Sequence, residues 1–180
     1  MSRIGRMHIA VPANVTVSYN DGLVNVKGPK GELTQKIADG NIGVEISDGV
    51  INVTRSNDAK ETKARHGLYR QLIANMVKGV VEPYTRTLLI AGVGYKASVS
   101  GNKLVMNIGF SHPVEFVAPA GITLACPDAT TVTVTGIDKD LVGQTAANIR
   151  SKKPVEPYHG YGLRYNDEVV LHKEGKTAGK

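Results

Sequence analysis

Apolar and polar residues alternate almost from the start of the chain. Val15 and Val17 precede the turn Tyr19-Asn20-Asp21-Gly22, and Leu23-Val24-Asn25-Val26 follows it. That pattern predicts a hairpin turned by Asp-Gly. Ile42, Val44 and Ile46, the turn Ser47-Asp48-Gly49 and then Val50-Ile51-Asn52-Val53 predict a second one. Past Val53 the apolar period lengthens from two to about 3.6. Asp58 and Glu61 have the spacing of a capping box. Ala64, Leu68, Leu72, Met76 and Val80 follow as an apolar stripe of helical spacing, and Pro83 stops it.

The same plan then recurs. Val99-Ser100-Gly101-Asn102-Lys103-Leu104-Val105-Met106-Asn107-Ile108 resembles the first hairpin, and Val132-Thr133-Val134-Thr135 echoes Ile51 through Thr54. Asp138 opens a shorter helix with Leu141, Val142, Thr145 and Ile149 on one face. Val53 against Val134 gives an offset of 81, and Asn25 against Asn107 gives 82. Two landmarks at nearly one offset point to tandem duplication. The expected fold class is α+β, with two tandem similar domains at 1–82 and 83–180, each a small antiparallel sheet packed with one helix. Beyond Ser151 the second domain continues as a basic extension, about 152–180, with no counterpart in the first. Val169-Val170-Leu171 offers a last short strand. Removal of 152–180 is expected to leave both cores folded.

Size and composition fit this plan. The chain has 180 residues, with no Trp, 2 Phe and 20 Gly. Its core must come from Val, Ile, Leu and Ala. One globule of this size buries roughly 70% of its unfolded surface and each half alone about 63%, so one domain or two small ones are both open on size. The single Cys126 excludes an internal disulfide and a cysteine zinc cage. No apolar run has membrane-spanning length, so a soluble protein of a reducing compartment is expected.

Catalytic motifs fail on inspection. Gly92-Val93-Gly94 starts like a dinucleotide loop but lies in an antiparallel context, without the strand-to-helix turn that binds pyrophosphate. Gly175-Lys176-Thr177 resembles the end of a phosphate-binding loop, yet its leading glycine would have to be Val170. Gly109-Phe110-Ser111-His112-Pro113 imitates a nucleophile elbow and ends in proline. His8, His66, His112, His159 and His172 show no metal-ligand spacing. The expectation is no enzyme, no cofactor and no metal.

Charge indicates a partner. The net charge is +6, which attracts polyanions in a salt-dependent way. Lys60, Lys63, Arg70 and Lys78 share one side of the first helix, where an ordinary solvated face is the better explanation. Arg150, Lys152 and Lys153 end the second helix and lead into Pro154-Val155-Glu156-Pro157-Tyr158-His159-Gly160-Tyr161-Gly162-Leu163-Arg164-Tyr165. Prolines keep this stretch out of a helix or a central strand. Its glycines would let a partner's backbone approach, while tyrosines interleave with cations in a way that suits folded RNA. On composition alone a turn-rich loop with a frayed terminus explains the stretch equally well. His172 through Lys180 is a polar tail expected to order only against an acidic partner.

The stretch Lys153–Tyr165 resembles the C-terminal signature of the bacterial-type large-ribosomal-subunit protein L-six family. Met1-Ser2-Arg3-Ile4-Gly5, Gly28-Pro29-Lys30-Gly31, Leu89 through Ala97 and Gly109-Phe110-Ser111-His112-Pro113 resemble it too. The resemblance implies two similar α+β domains and binding of large-subunit (23S-type) rRNA, mainly through the second. It places members among neighbouring ribosomal proteins at the stalk base, near where translational GTPases dock, in a cytoplasmic ribosome. Carried over by position, rRNA contact would fall on Lys152, Lys153, Tyr158, His159, Gly160, Gly162, Arg164 and Tyr165, with the tail lysines Lys173, Lys176 and Lys180. Gly92, Gly94, Tyr95 and Lys96 form a weaker candidate turn. His159 and Tyr161 depart from lysines common in the family. The alternative is a free-standing RNA-binding or ribosome-assembly module.

Overall fold

The computed structural model describes residues 3–47 and 49–176. Strand β1 (Ile9–Ala10) precedes the first hairpin, which forms from β2 (Thr16–Asn20) and β3 (Leu23–Gly28) and is widened by β4 (Gly31–Lys36). The second hairpin pairs β5 (Ile42–Ser47) with β6 (Val50–Arg55). Asp48 in its turn lies outside the described residues. Strand β1 adds to the far edge of β6, with Ile9 opposite Ile51. Helix α1 (Lys60–Gly79) packs on these strands.

The helix departs from its expected form at two points. No side chain caps it: Ala59 is the N-cap, and Asp58 instead pairs with Arg55 at 2.8 Å and Lys63 at 3.6 Å. The buried face runs through Thr62, His66, Ile73, Met76 and Val77 to Val80, leaving Ala64 exposed and Leu68 54% exposed. Strict four-residue steps drift by about 40° each around a helix of 3.6 residues per turn, so only the last members of the stripe face the sheet. His66 meets the polarity cost of burial with two hydrogen bonds. Its Nε2 lies 2.8 Å from the Val53 carbonyl and its Nδ1 lies 3.1 Å from Arg55, and a proton on Nε2 satisfies both.

The second half repeats the topology. Strands β7 (Tyr84–Ala91), β8 (Lys96–Ser100), β9 (Lys103–Asn107), β10 (Val114–Val117), β11 (Ile122–Asp128) and β12 (Thr131–Gly136) lead into α2 (Lys139–Arg150). The sheet β8-β9-β10 matches β2-β3-β4, and β11-β12-β7 matches β5-β6-β1. Leu88 opposite Val132 reproduces Ile9 opposite Ile51. The hairpin offset is corrected, however. The two-residue turns place Gly101 where Asp21 stands, an offset of 80 in place of 82. Val24 and Val26 then match Leu104 and Met106, all four fully buried. A shift of two residues keeps every side chain on its own face, so alternation alone could not detect it.

By contacts the chain divides into two compact units, Met1–Pro83 with Ile137–Lys139, and Tyr84–Gly136 with Asp140–Lys180. Each has its own apolar core. The second unit carries an additional strand, β13 (Gly162–Tyr165), on the outer edge of β7. Two expectations are overturned here. Val169-Val170-Leu171 forms no strand, and Val169 and Leu171 are 86% and 81% exposed. Leu163 of β13 is fully buried in the core, so a chain ending at Ser151 would open that core and lose an edge strand. The end of β13 is held by Glu168, which accepts from the Tyr165 amide at 3.1 Å and from Arg150 Nε at 2.8 Å, with a second bond from Arg150 Nη2.

Leu163→Ala is expected to lower stability by about 2–5 kcal/mol, as for other large core truncations, measured by urea unfolding. The bonds from Arg150 hold the Glu168 carboxyl below its ordinary range. Its contribution is therefore complete above the ordinary glutamate range and is lost as pH falls through the lowered value. Glu168→Gln should cost about 0.5–1 kcal/mol at pH 7, the scale of a partly exposed pair, and the gap to wild type should close in acid.

Candidate nucleic-acid interface

The residues after α2 are shaped by the chain's contacts with itself. The amides of Lys152 and Lys153 bond the carbonyls of Ile149 and Arg150 in a last tight turn. The chain then runs out and returns. Glu156 donates to the Tyr161 carbonyl at 3.0 Å and Leu163 to the Lys153 carbonyl at 2.8 Å. Gly162, at φ 142°, sits at this crossing, where a Cβ would lie 2.7 Å from both the Pro154 carbonyl oxygen and the Val155 Cα. Its small size admits its own backbone, where the sequence suggested a partner's. A Cβ on Gly160 would likewise lie 3.0 Å from the His172 ring. The tail is anchored at its start, because the Lys173 amide bonds the Pro157 carbonyl at 2.8 Å.

Two other segments of the second unit converge on this loop. Tyr95 is half-buried and wedged between two glycines: a Cβ on Gly92 would lie 2.4 Å from its ring, and one on Gly109 2.6 Å from its hydroxyl. The Tyr95 and Tyr161 rings are 6.5 Å apart. Tyr161 in turn stacks on His159 at 5.4 Å and 21°. Lys153 Nζ lies 4.9 Å from the centroid of Phe110, whose ring is nearly parallel to that of His112 at 6.4 Å. Tyr158 is 54% exposed nearby in sequence, and Gly94 lies open at the tip of its turn. Sequence reasoning singled out Tyr95, Lys153, Tyr158 and His159 as contacts but not Phe110, His112 or Tyr161. The Gly-Phe-Ser-His-Pro motif was the available signal for the first two.

Charge divides the cations of this unit into two sets. Arg86 pairs with Asp167 at 3.1 Å, Lys103 with Glu115 at 2.7 Å, and Arg150 with Glu168. The Tyr165 ring packs against the core and has the guanidiniums of Arg86 and Arg150 each 5.5 Å from its centroid, so this tyrosine is a packing element. By contrast, Lys96, Lys152, Lys153, Arg164, Lys173 and Lys176 hold no salt bridge among the described residues. Lys153 has only the ring of Phe110, an attraction of about 0.5–1 kcal/mol at an exposed site, which a phosphate can readily replace. His159 faces Glu156 at 3.1 Å. Lys180 lies outside the described residues.

The basic side of α1 is partly consumed by the fold. Arg70 donates to the carbonyls of Met7 and His8 at 3.0 and 3.2 Å, fastening the approach to β1, and Lys63 faces Asp58. The Gly92-Val93-Gly94 turn joins β7 to β8, strands of two different sheets, with no helix directly after it. Among the described residues no helix is long and apolar enough to cross a membrane, and no His, Cys, Asp and Glu cluster could hold a metal ion.

Comparison with known proteins agrees with the duplicated architecture. The family model for ribosomal protein L6 matches residues 11–82 and again residues 91–166. The large ribosomal subunit protein uL6 of Prosthecochloris aestuarii is 49% identical, over 100% of this chain and 99% of its own. Those of Clostridium kluyveri and Mesoplasma florum are 51% and 48% identical over the whole of both chains. Matched in both repeats and along its full length, the chain belongs to the ribosomal protein L6 family, whose members are structural proteins and not enzymes.

Proposed function

We propose that this protein is a structural constituent of the large ribosomal subunit that binds large-subunit rRNA through its second unit and stabilises the RNA fold. Its relatives carry the large subunit in their names and match it from end to end. The observation that carries the rRNA reading is the division among the cations. Among the described residues, Lys96, Lys152, Lys153, Lys173 and Lys176 have no carboxylate to leave before meeting a phosphate and Arg164 has only the through-space attraction of Glu168, whereas Arg86, Lys103 and Arg150 each hold a salt bridge. Exposed Tyr158 and Tyr161 lie among the unpaired set and can stack or hydrogen-bond with unpaired bases. Binding then works by phosphate neutralisation and counterion release around a preformed loop, without catalysis. Gly92, Gly94, Gly160, Gly162 and Tyr165 serve by shaping that loop and its neighbours. The family resemblance supports a position in the cytoplasmic ribosome at the stalk base, beside other ribosomal proteins and near the docking translational GTPases.

Combined Lys152→Gln, Lys153→Gln and Arg164→Gln substitutions should reduce the slope of log affinity against log salt by about 2–3, at roughly 0.7–0.9 per phosphate contact. The probe is deproteinised bacterial large-subunit rRNA, and Lys103→Gln, which removes a paired lysine, should leave the slope unchanged. Equal losses from both variants would remove the basis of the reading. Arg164→Glu should also weaken binding more than Lys60→Glu, since Lys60 lies on α1; parity would place the main contact elsewhere. Co-sedimentation with finished large subunits separates a resident protein from a free-standing RNA-binding or assembly module, which would stay in the supernatant.

A further inference from the structure

The β9–β10 loop carries Gly109-Phe110-Ser111-His112-Pro113. Phe116, the other phenylalanine of the chain, packs against the core, whereas Phe110 is 47% exposed and belongs to neither core. A lone exposed apolar ring is ordinary. This one has two further features. His112 lies nearly parallel to it, at 22° and 6.4 Å, and Lys153 stands over it at 4.9 Å with no carboxylate partner among the described residues.

Resting on the rRNA reading above, we propose that Phe110, with His112 beside it, is a stacking site for an unpaired RNA base, and that Lys153 takes a phosphate of the same strand. Two rings of similar tilt offer a flat ligand one orientation. Stacking needs only a ring face and tolerates the polar surroundings supplied by Ser111 and His112, both exposed. A protein partner would instead require a contiguous apolar surface around Phe110, and Ser111, His112 and Pro113 do not make one. The loop is also held in place. Tyr95 abuts Gly109 immediately before the ring, and Tyr95 itself approaches Tyr161 of the Lys153 segment. The stacking ring and the cation are therefore positioned by one packed cluster.

The test uses the full-length protein and deproteinised bacterial large-subunit rRNA. Phe110→Ala should weaken affinity about 5- to 150-fold with the salt slope unchanged, because stacking releases no counterions. Lys153→Gln should lower that slope by about 0.7–0.9. The chain has no tryptophan, so Phe110→Trp introduces a sole indole reporter. That variant should keep its affinity, and its fluorescence should be quenched by rRNA but not by polyphosphate at equal phosphate concentration. Unchanged thermal unfolding of Phe110→Ala shows that a loss of binding is not a loss of fold. Wild-type binding with unchanged affinity of Phe110→Ala, or an unquenched Phe110→Trp on bound rRNA, overturns the stacking site alone. Equal quenching by polyphosphate also overturns it. Absence of wild-type binding overturns the rRNA reading and this site with it.

Discussion

The pairing of β13 with the outer edge of β7 is the constraint on which the candidate interface depends. Strand β7 spans Tyr84–Ala91 and would otherwise present a row of unpaired backbone groups to water. Its counterpart in the first unit, β1, is only Ile9–Ala10 and offers almost no edge to extend. The duplicated plan thus has a free edge long enough to recruit a strand in one copy alone. Once Leu163 is buried there, the chain from Lys153 to Tyr161 must leave the sheet and return within a few residues. Hydrogen bonds at its base, Leu163 to Lys153 and Glu156 to Tyr161, turn that excursion into a defined loop.

Electrostatics follow from the same pairing. β13 brings Tyr165 against both Arg86 and Arg150, and the turn after it supplies Asp167 and Glu168 to neutralise them. These acidic residues complete the fastening of β13 by pairing arginines that lie against it. Among the described residues, lysines on the excursion and tail have no such partners. Positive charge is therefore retained on the loop and tail and cancelled at their base. A net charge of +6 describes neither set by itself.

Aromatic residues divide in the same manner. Tyr95 and Tyr165 are packing rings, one set between glycines and the other against two guanidiniums. Tyr158, Tyr161 and Phe110 remain open to solvent. Tyrosine content therefore does not identify a stacking residue; the ring's own neighbours do. The glycines support the wedge and the crossing, so their contribution to any RNA contact is made through the shape of the loop.

Local pattern determined the α+β class, the hairpins, the two helices and the duplication, because alternation, helical spacing and Asp-Gly turns are properties of neighbouring residues. The basic extension and its Pro-Gly-Tyr character were equally legible. Only the tertiary structure decided the rest. The hairpin offset of 80 needed both turns in place, since a period-two pattern is unchanged by a shift of two. Which face of α1 is buried depended on where the sheet lies, and so Leu68 is exposed while Thr62 and His66 are not. The last strand formed at Gly162–Tyr165 and not at Val169–Leu171, because an edge strand exists only where a free edge receives it. Which cations are paired, and which rings are open, was settled by residues far apart in sequence: Arg86 with Asp167, Arg150 with Glu168, Phe110 with Lys153. Sequence specifies the elements; contacts between distant residues determine which side chains remain available to a partner.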